Sequence, residues 1–188
     1  MSSAKELDGA TVCIEPGTTT ELNLAEYFKK TEISYEPVNV DTFDDAIKSL
    51  KAGRCDLLTT DSTGLAAVKA SMPNPDNWEV LPELISKEPL GPAVRHGDNN
   101  WGDIVRWSLY TIIGAEELGI NSNNVDDFKD SKNSEILRML GHQGNLGKFL
   151  GVRKDFGYQI IKQVGNYKEV YDKTMAKTGL PRGLNASY

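Results

Sequence analysis

The chain has 188 residues, 39% of them hydrophobic, and a net charge of −6, so it can bury a real core as one domain or as one domain with a helical extension. Its 21 Lys and Arg residues are scattered along an acidic chain, a pattern that argues against nucleic acid or an anionic membrane as partner. There is no cationic opening segment followed by an apolar run, and no stretch of about 18 apolar residues, so the sequence as written predicts a soluble protein without signal peptide or membrane span.

The first apolar run, "ATVCIE", predicts a short buried strand over Thr11 to Glu15. The turn "EPGTTTE" follows, and then a helix from about Thr18 to Lys30 with Leu22, Ala25 and Tyr27 or Phe28 near one face. A second strand is expected over Ser34 to Val40, with Pro37 placing it at a sheet edge because proline donates nothing to a ladder. "DTFDDAIKSLKAG" reads as a helix capped by Asp41 or Thr42, with Phe43, Ala46, Ile47 and Leu50 as its apolar stripe and Gly53 as its stop. A third strand runs from Cys55 to Thr60, and a helix begins at Ser62 and closes before Pro73. Two further strands, within Trp78 to Ser86 and Gly91 to Arg95, complete the expected sheet. Alternating strands and helices with right-handed crossovers make an open, mainly parallel sheet flanked by helices, an α/β lobe over residues 6–98.

After Asp98 the pattern becomes all-helical, a segment expected to run over residues 99–188. Trp101, Ile104, Val105, Leu109, Ile112 and Ile113 recur at helical spacing and, with the other Trp and Tyr residues of this half, are expected to be core. Short helices follow in "NNVDDFKD", "NSEILRMLG" and "NLGKFLG", and one long final helix in "KDFGYQIIKQVGNYKEVYDKTMAKTG", weakened by Gly157 and Gly165.

Cys13 and Cys55 are the only cysteines, and His96 and His142 lie far apart in sequence, too sparse a set for a zinc cluster; no metal or cofactor is expected. Two states of the cysteines stay open. Each fits a buried apolar position, whereas their similar heights on adjacent strands allow a disulfide, a geometry that neighbouring parallel strands seldom provide.

"EPGTTTE" has two readings. A helix N-terminus has unpaired N–H groups and a positive dipole end, so Gly17, Thr18 and Thr19 can seat a carboxylate or phosphate. Equally, Thr18 or Thr19 can be an ordinary N-cap, with Glu21 closing a capping box. If the strand order is 2-1-3, ligands sit beyond the carboxyl ends of the first and third strands, and the Gly17-Thr18-Thr19 turn faces Thr60-Asp61. An anion seat beside Asp61, an acceptor for an ammonium, suits the zwitterionic head of an amino acid. The alternative for Asp61 is a plain cap of the following helix.

The motifs "LDGATVCIEPGTTTELNLAEYF", "AGRCDLLTTDSTGL", "LPELISKEPLGPAVRHGDNNW", "DIVRW…AEELGI" and "RGLNA" span nearly the whole chain, and in this order and spacing it resembles an amino-acid-binding protein of ABC transporters, of the general or polar L-amino-acid type. The resemblance implies a two-lobed, hinged periplasmic receptor of which this chain is the second lobe plus the C-terminal helical segment, with the first lobe and the signal missing or truncated. It implies no enzymatic activity. The Gly-Thr-Thr turn would bind the ligand α-carboxylate through Thr18 and Thr19, and Asp61 the α-ammonium. The implied partners are an L-amino acid and, in the intact receptor, the membrane permease of the transporter. An oxidising periplasm would permit the Cys13–Cys55 bridge.

In place of the glutamine, serine or lysine of related proteins, Glu15-Pro16 precedes the turn, so an inward Glu15 would disfavour a ligand carboxylate. A single lobe leaves its ligand in water, which predicts weak or lost affinity, and it would expose a surface suited to self-association. The competing expectations are an orphan interaction domain and an enzyme or phosphate binder on a similar α/β scaffold. The last lacks a base beside Thr18 or Asp61 and any G-x-S-x-G motif.

Overall fold

A computed structural model describes residues 2–87 and 90–186. Glu88 and Pro89, within one of the motifs quoted above, lie outside the described residues, as do Met1 and, at the end of the expected helical segment, Ser187 and Tyr188. The chain divides into two compact units, Met1–Pro89 and Leu90–Tyr188.

The first unit is built on three parallel strands, β1 (Ala10–Ile14), β2 (Tyr35–Asn39) and β3 (Leu57–Leu58), in the order β2-β1-β3. Central β1 carries the most apolar run, and Val12, Cys13 and Ile14 are fully buried. Pro37 lies on the edge strand β2, in register with Val12, where its missing N–H can face away from the ladder. Helices α1 (Thr19–Thr31), α2 (Phe43–Lys51) and α3 (Ser62–Ser71) follow the three strands in turn. One core cluster gathers Ala4, Leu7, Val12, Ile14, Leu24 and Phe28, and a second gathers Cys13, Ala46 and Cys55.

Three expectations for residues 6–98 are corrected. Helix α1 faces the sheet with Leu24 and Phe28, one turn apart, and Phe28 stacks 4.7 Å from Tyr35 between ring centres; Leu22, on the opposite side, is 68% exposed, and Ala25 is exposed too. On α2 the buried residues are Ala46 and Ser49, while Phe43 is partly exposed. The third correction concerns the sheet. Neither Trp78 to Ser86 nor Gly91 to Arg95 forms a strand. From Leu81 to Ser86 the side chains do alternate inward and outward, with Leu81 and Ile85 packed on the first core cluster. A strand needs a neighbour for its N–H and C=O groups as well as a period of two, and here no described strand pairs with the segment. Gly91 to Arg95 is exposed throughout.

Helix α4 (Asn99–Glu117), capped by Asp98 through the Trp101 N–H at 3.1 Å, opens the second unit's helical part, followed by α5 (Ser134–Met139), α6 (Phe156–Val164) and α7 (Tyr167–Lys173), with short 3-10 turns at Val125–Phe128 and Leu146–Leu150. No strand occurs among the described residues after Asn99. Ala115, Ile120, Val125, Ile136, Leu140 and Ile161 form its core. Gly157 allows α6 to approach the end of α5 closely: a Cβ there would run into the Met139 carbonyl.

Two expectations change here as well. The final helix is two helices, because Gly165 adopts φ 100° and Asn166 starts α7 with a complete capping box to Glu169. Trp101, Trp107 and Tyr110 are not core residues; each is about half exposed, with Trp107 and Tyr110 packed edge to face on one another. Tyr171, in contrast, is buried.

Candidate functional site

At the carboxyl ends of β1 and β3 lies a small crevice of about 50 Å³, lined by Cys13, Glu15, Thr18, Thr20, Phe43, Ala46, Leu58, Thr59 and Thr60. Parallel strands with helices on both sides leave such an opening where the connections depart in opposite directions, here from β1 to α1 and from β3 to α3.

Two local devices fix its walls. Cys13 and Cys55 are joined by a disulfide, with Cα atoms 5.6 Å apart, which resolves the alternative left open by the sequence. Cys55 lies just before β3 and not across the ladder from Cys13, whose register partner is Leu58, so the bridge does not need two facing strand positions. Beside it the Asp56 carboxylate accepts from the Thr11 N–H at 2.8 Å and the Thr11 hydroxyl at 2.6 Å, while the Asp56 N–H donates to the Thr11 carbonyl at 2.9 Å. The Thr11 hydroxyl and then its backbone N–H hold the Asp56 carboxyl below its ordinary pKa. The start of β3 is thereby clipped to β1, and Thr59 and Thr60 are carried to the crevice opposite Thr18.

The turn itself is built by capping. Gly17 takes φ 77°, a left-handed conformation that suits glycine. Thr18 is the N-cap of α1: its hydroxyl accepts from the Glu21 N–H at 3.2 Å and donates to the Glu15 carbonyl at 2.8 Å. The Glu21 carboxylate reaches back to the Gly17 N–H at 2.7 Å, a capping box shifted by one residue. The capping and anion-seat readings are therefore not exclusive. The turn's Gly17 N–H already holds the chain's own carboxylate, and a ligand would meet the remaining N–H groups of the first turn and a Thr18 hydroxyl whose proton must leave Glu15.

The four residues singled out by sequence are distributed as follows. Thr18 lines the crevice. Gly17 shapes the turn without lining it. Thr19 lines a separate, larger groove of about 680 Å³ between α1 and residues 84–87. Asp61 directly follows Thr60 at the crevice, is exposed, and occupies the N-cap position of α3 without a side-chain capping bond. The carboxylate is thus not committed to the helix that it precedes. Thr20, Thr59 and Phe43 also line the crevice and were not singled out. The signal for Phe43 was its place beside the Thr42 cap of α2, whose N-terminus, like that of α1, opens at the carboxyl ends of the strands.

No protein-family profile matches the chain. Among curated proteins it is 50% identical, over 100% of its length and 57% of the relative's, to the glutamate/glutamine/aspartate/asparagine-binding protein BztA of Rhodobacter capsulatus. It is 48% identical, over 98% of the chain and 55% of the relative, to the putative amino-acid ABC transporter-binding protein YhdW of Escherichia coli K12. To the general L-amino acid-binding periplasmic protein AapJ of Rhizobium johnstonii it is 47% identical, over 99% of the chain and 56% of the relative. Among solved structures it matches an ABC transporter periplasmic binding protein from Brucella ovis with glutathione bound, at 43% identity and a TM-score of 0.92, over 99% of the chain and 60% of that protein. The chain spans about half the length of the curated relatives it matches.

Proposed function

Because the chain belongs, over its whole length, to the amino-acid-binding proteins of ABC transporters, we propose that it binds an L-amino acid as one lobe's share of a transport receptor. Its relatives are binding proteins and not enzymes. The observation that carries the reading is the crevice at the ends of β1 and β3, lined by Thr18 and by Thr59 and Thr60, with Asp61 the next residue in the chain. In this proposal the first turn of α1, shaped by Gly17, takes the ligand carboxylate through Thr18 and the Thr19 N–H, and Asp61 takes its ammonium by a charge-assisted hydrogen bond. Residues 6–98 act as the ligand lobe and residues 99–188 as a helical segment. The partner is the membrane permease of an ABC transporter, and the place of action is the periplasm.

Affinity of this chain alone is weak, because a ligand held from one side keeps its charges in water, where each contact is screened. A dissociation constant on the order of millimolar follows. Amide-resolved NMR titration of the chain with L-amino acids, D-glucose and AMP tests the reading. Amino acids should move the amides of residues 17–20 and 58–61, and Asp61→Asn should weaken that response by at least about tenfold, the worth of one charge-assisted bond. Shifts only with the sugar or the nucleotide, or none with any amino acid at about 50 mM, well above the constant expected, would refute it.

The exposed Trp107, Tyr110, Phe149 and Leu184 also support self-association of the isolated chain. Light scattering should show a mass that rises with concentration, and a constant monomer mass removes this part of the proposal.

A further inference from the structure

The amino-acid reading leaves open which side chains the crevice accepts. We propose that Glu15 sets this choice, penalising ligands with an acidic side chain and favouring those with a neutral amide or a cationic one; the inference rests on the amino-acid reading above.

Glu15 is the last residue before the Pro16-Gly17 turn and lines the crevice together with Thr18, Thr20, Thr59, Thr60 and Phe43. Its position is fixed from both sides. On one side Ile14 ends the central strand, in register with Asn39, and its carbonyl accepts the Val40 N–H at 3.0 Å; on the other the Glu15 carbonyl accepts the Thr18 hydroxyl at 2.8 Å. The backbone that carries the carboxylate is therefore part of the same hydrogen-bonded turn that would hold the ligand head. A second carboxylate, Asp61, follows Thr60 directly. No Lys or Arg lines the crevice among the described residues.

The chemistry of the walls is one-sided. Threonine hydroxyls can donate or accept, so they serve an amide, a hydroxyl or an ammonium alike. Asp61 is assigned to the α-ammonium, which leaves Glu15 as the charge that a ligand side chain meets. A glutamine amide can donate to it. A glutamate carboxylate of the same shape can only repel it, with no cation in the lining to offset the contact. One like-charge contact about 4 Å apart in a water-exposed crevice corresponds to roughly a fivefold loss of affinity, and added salt should shrink it.

The test compares isosteric pairs, L-glutamine with L-glutamate and L-asparagine with L-aspartate, by NMR titration of the full chain and of Glu15→Gln. The parent should bind each amide about fivefold or more tightly than its acid, less so at 0.5 M salt. Glu15→Gln should bring each pair to within about twofold, chiefly by raising the affinities of the two acids. Equal affinities in the parent, or a preference that survives Glu15→Gln, would overturn the role of Glu15 while leaving amino-acid binding intact. Absence of binding by all four ligands would overturn the amino-acid reading, and this inference with it.

Discussion

Thr18 and Asp61 hold equivalent positions, each the N-cap of a helix at a strand end, yet they relate to their helices in different ways. The Thr18 hydroxyl receives the Glu21 N–H, whereas Asp61 makes no such bond. Loss of a capping hydroxyl costs about 1 kcal/mol, and loss of an uncommitted exposed carboxylate costs within about 0.5 kcal/mol. Thr18→Val should therefore lower the melting midpoint by several degrees, while Asp61→Asn should melt like the parent; differential scanning calorimetry separates the two. An equal loss in both would make Asp61 an ordinary cap. From sequence alone these two residues looked interchangeable as caps or as ligands, because a hydroxyl or carboxylate before a helix is compatible with both roles. What distinguishes them is where each side chain's hydrogen bonds go, and that depends on rotamers no spacing reveals. Glu21 illustrates the same limit: its place three residues after Thr18 suggested a capping box, but its carboxylate closes on Gly17.

Among the elements, β1, β2, the caps of α1 and α2 and the stop at Pro73 were readable, since each is announced by local chemistry: an apolar run, Thr18 or Thr42, a proline. The two absent strands were not, because Leu81 to Ser86 carries a true period of two while its pairing depends on a distant partner. The face of α1 is not legible in the sequence for a related reason. Leu22 and Leu24 are equally apolar, and only the position of the sheet selects Leu24 and Phe28. The short β3 depends on its clip to β1. Thr11 holds the folded-state pKa of Asp56 below its unfolded value, so this contribution is complete above the unfolded carboxylate pKa of about 3.9 and is lost as pH falls through the lower folded value. Thermal melts from pH 6 to 2.5 should show the parent losing stability below about pH 4, and Thr11→Val should flatten that loss; identical pH profiles would remove the clip from the account.

In the second unit, Arg182 forks onto both oxygens of Glu116 at 2.7 and 2.8 Å and packs against Tyr167 and Tyr171, joining the C-terminal turn to α4 and α7. With side chains only 17% and 12% exposed, Arg182→Met should destabilise by about 3 kcal/mol, and Arg182→Lys should not restore it, because an ammonium lacks the planar fork. Urea titration measures both, and a lysine variant as stable as the parent would contradict the geometry.

At the scale of the whole molecule, the α/β class and the helical second half followed from alternation and punctuation, but the number of strands did not, since a sheet closes by long-range pairing. The disulfide had the same status: two cysteines at like heights permitted it, and only the loop position of Cys55 makes it fit. Closing a loop of 42 residues, the bridge stabilises by about 4 kcal/mol. Reduction should lower the melting midpoint of the first unit by about 10 °C or more, read from probes on β1 and α2. An unchanged midpoint would mean that β1 and β3 are held without it.

The central claim is that an amino-acid head sits between Thr18 and Asp61, and a structure of the chain soaked in L-glutamine tests it most directly. The prediction is a ligand in the crevice with its ammonium in hydrogen-bond reach of the Asp61 carboxylate and its carboxylate on the first turn of α1. A ligand seated instead in the larger groove beside Thr19, Tyr27 and Lys30, with the crevice unvisited, would contradict it.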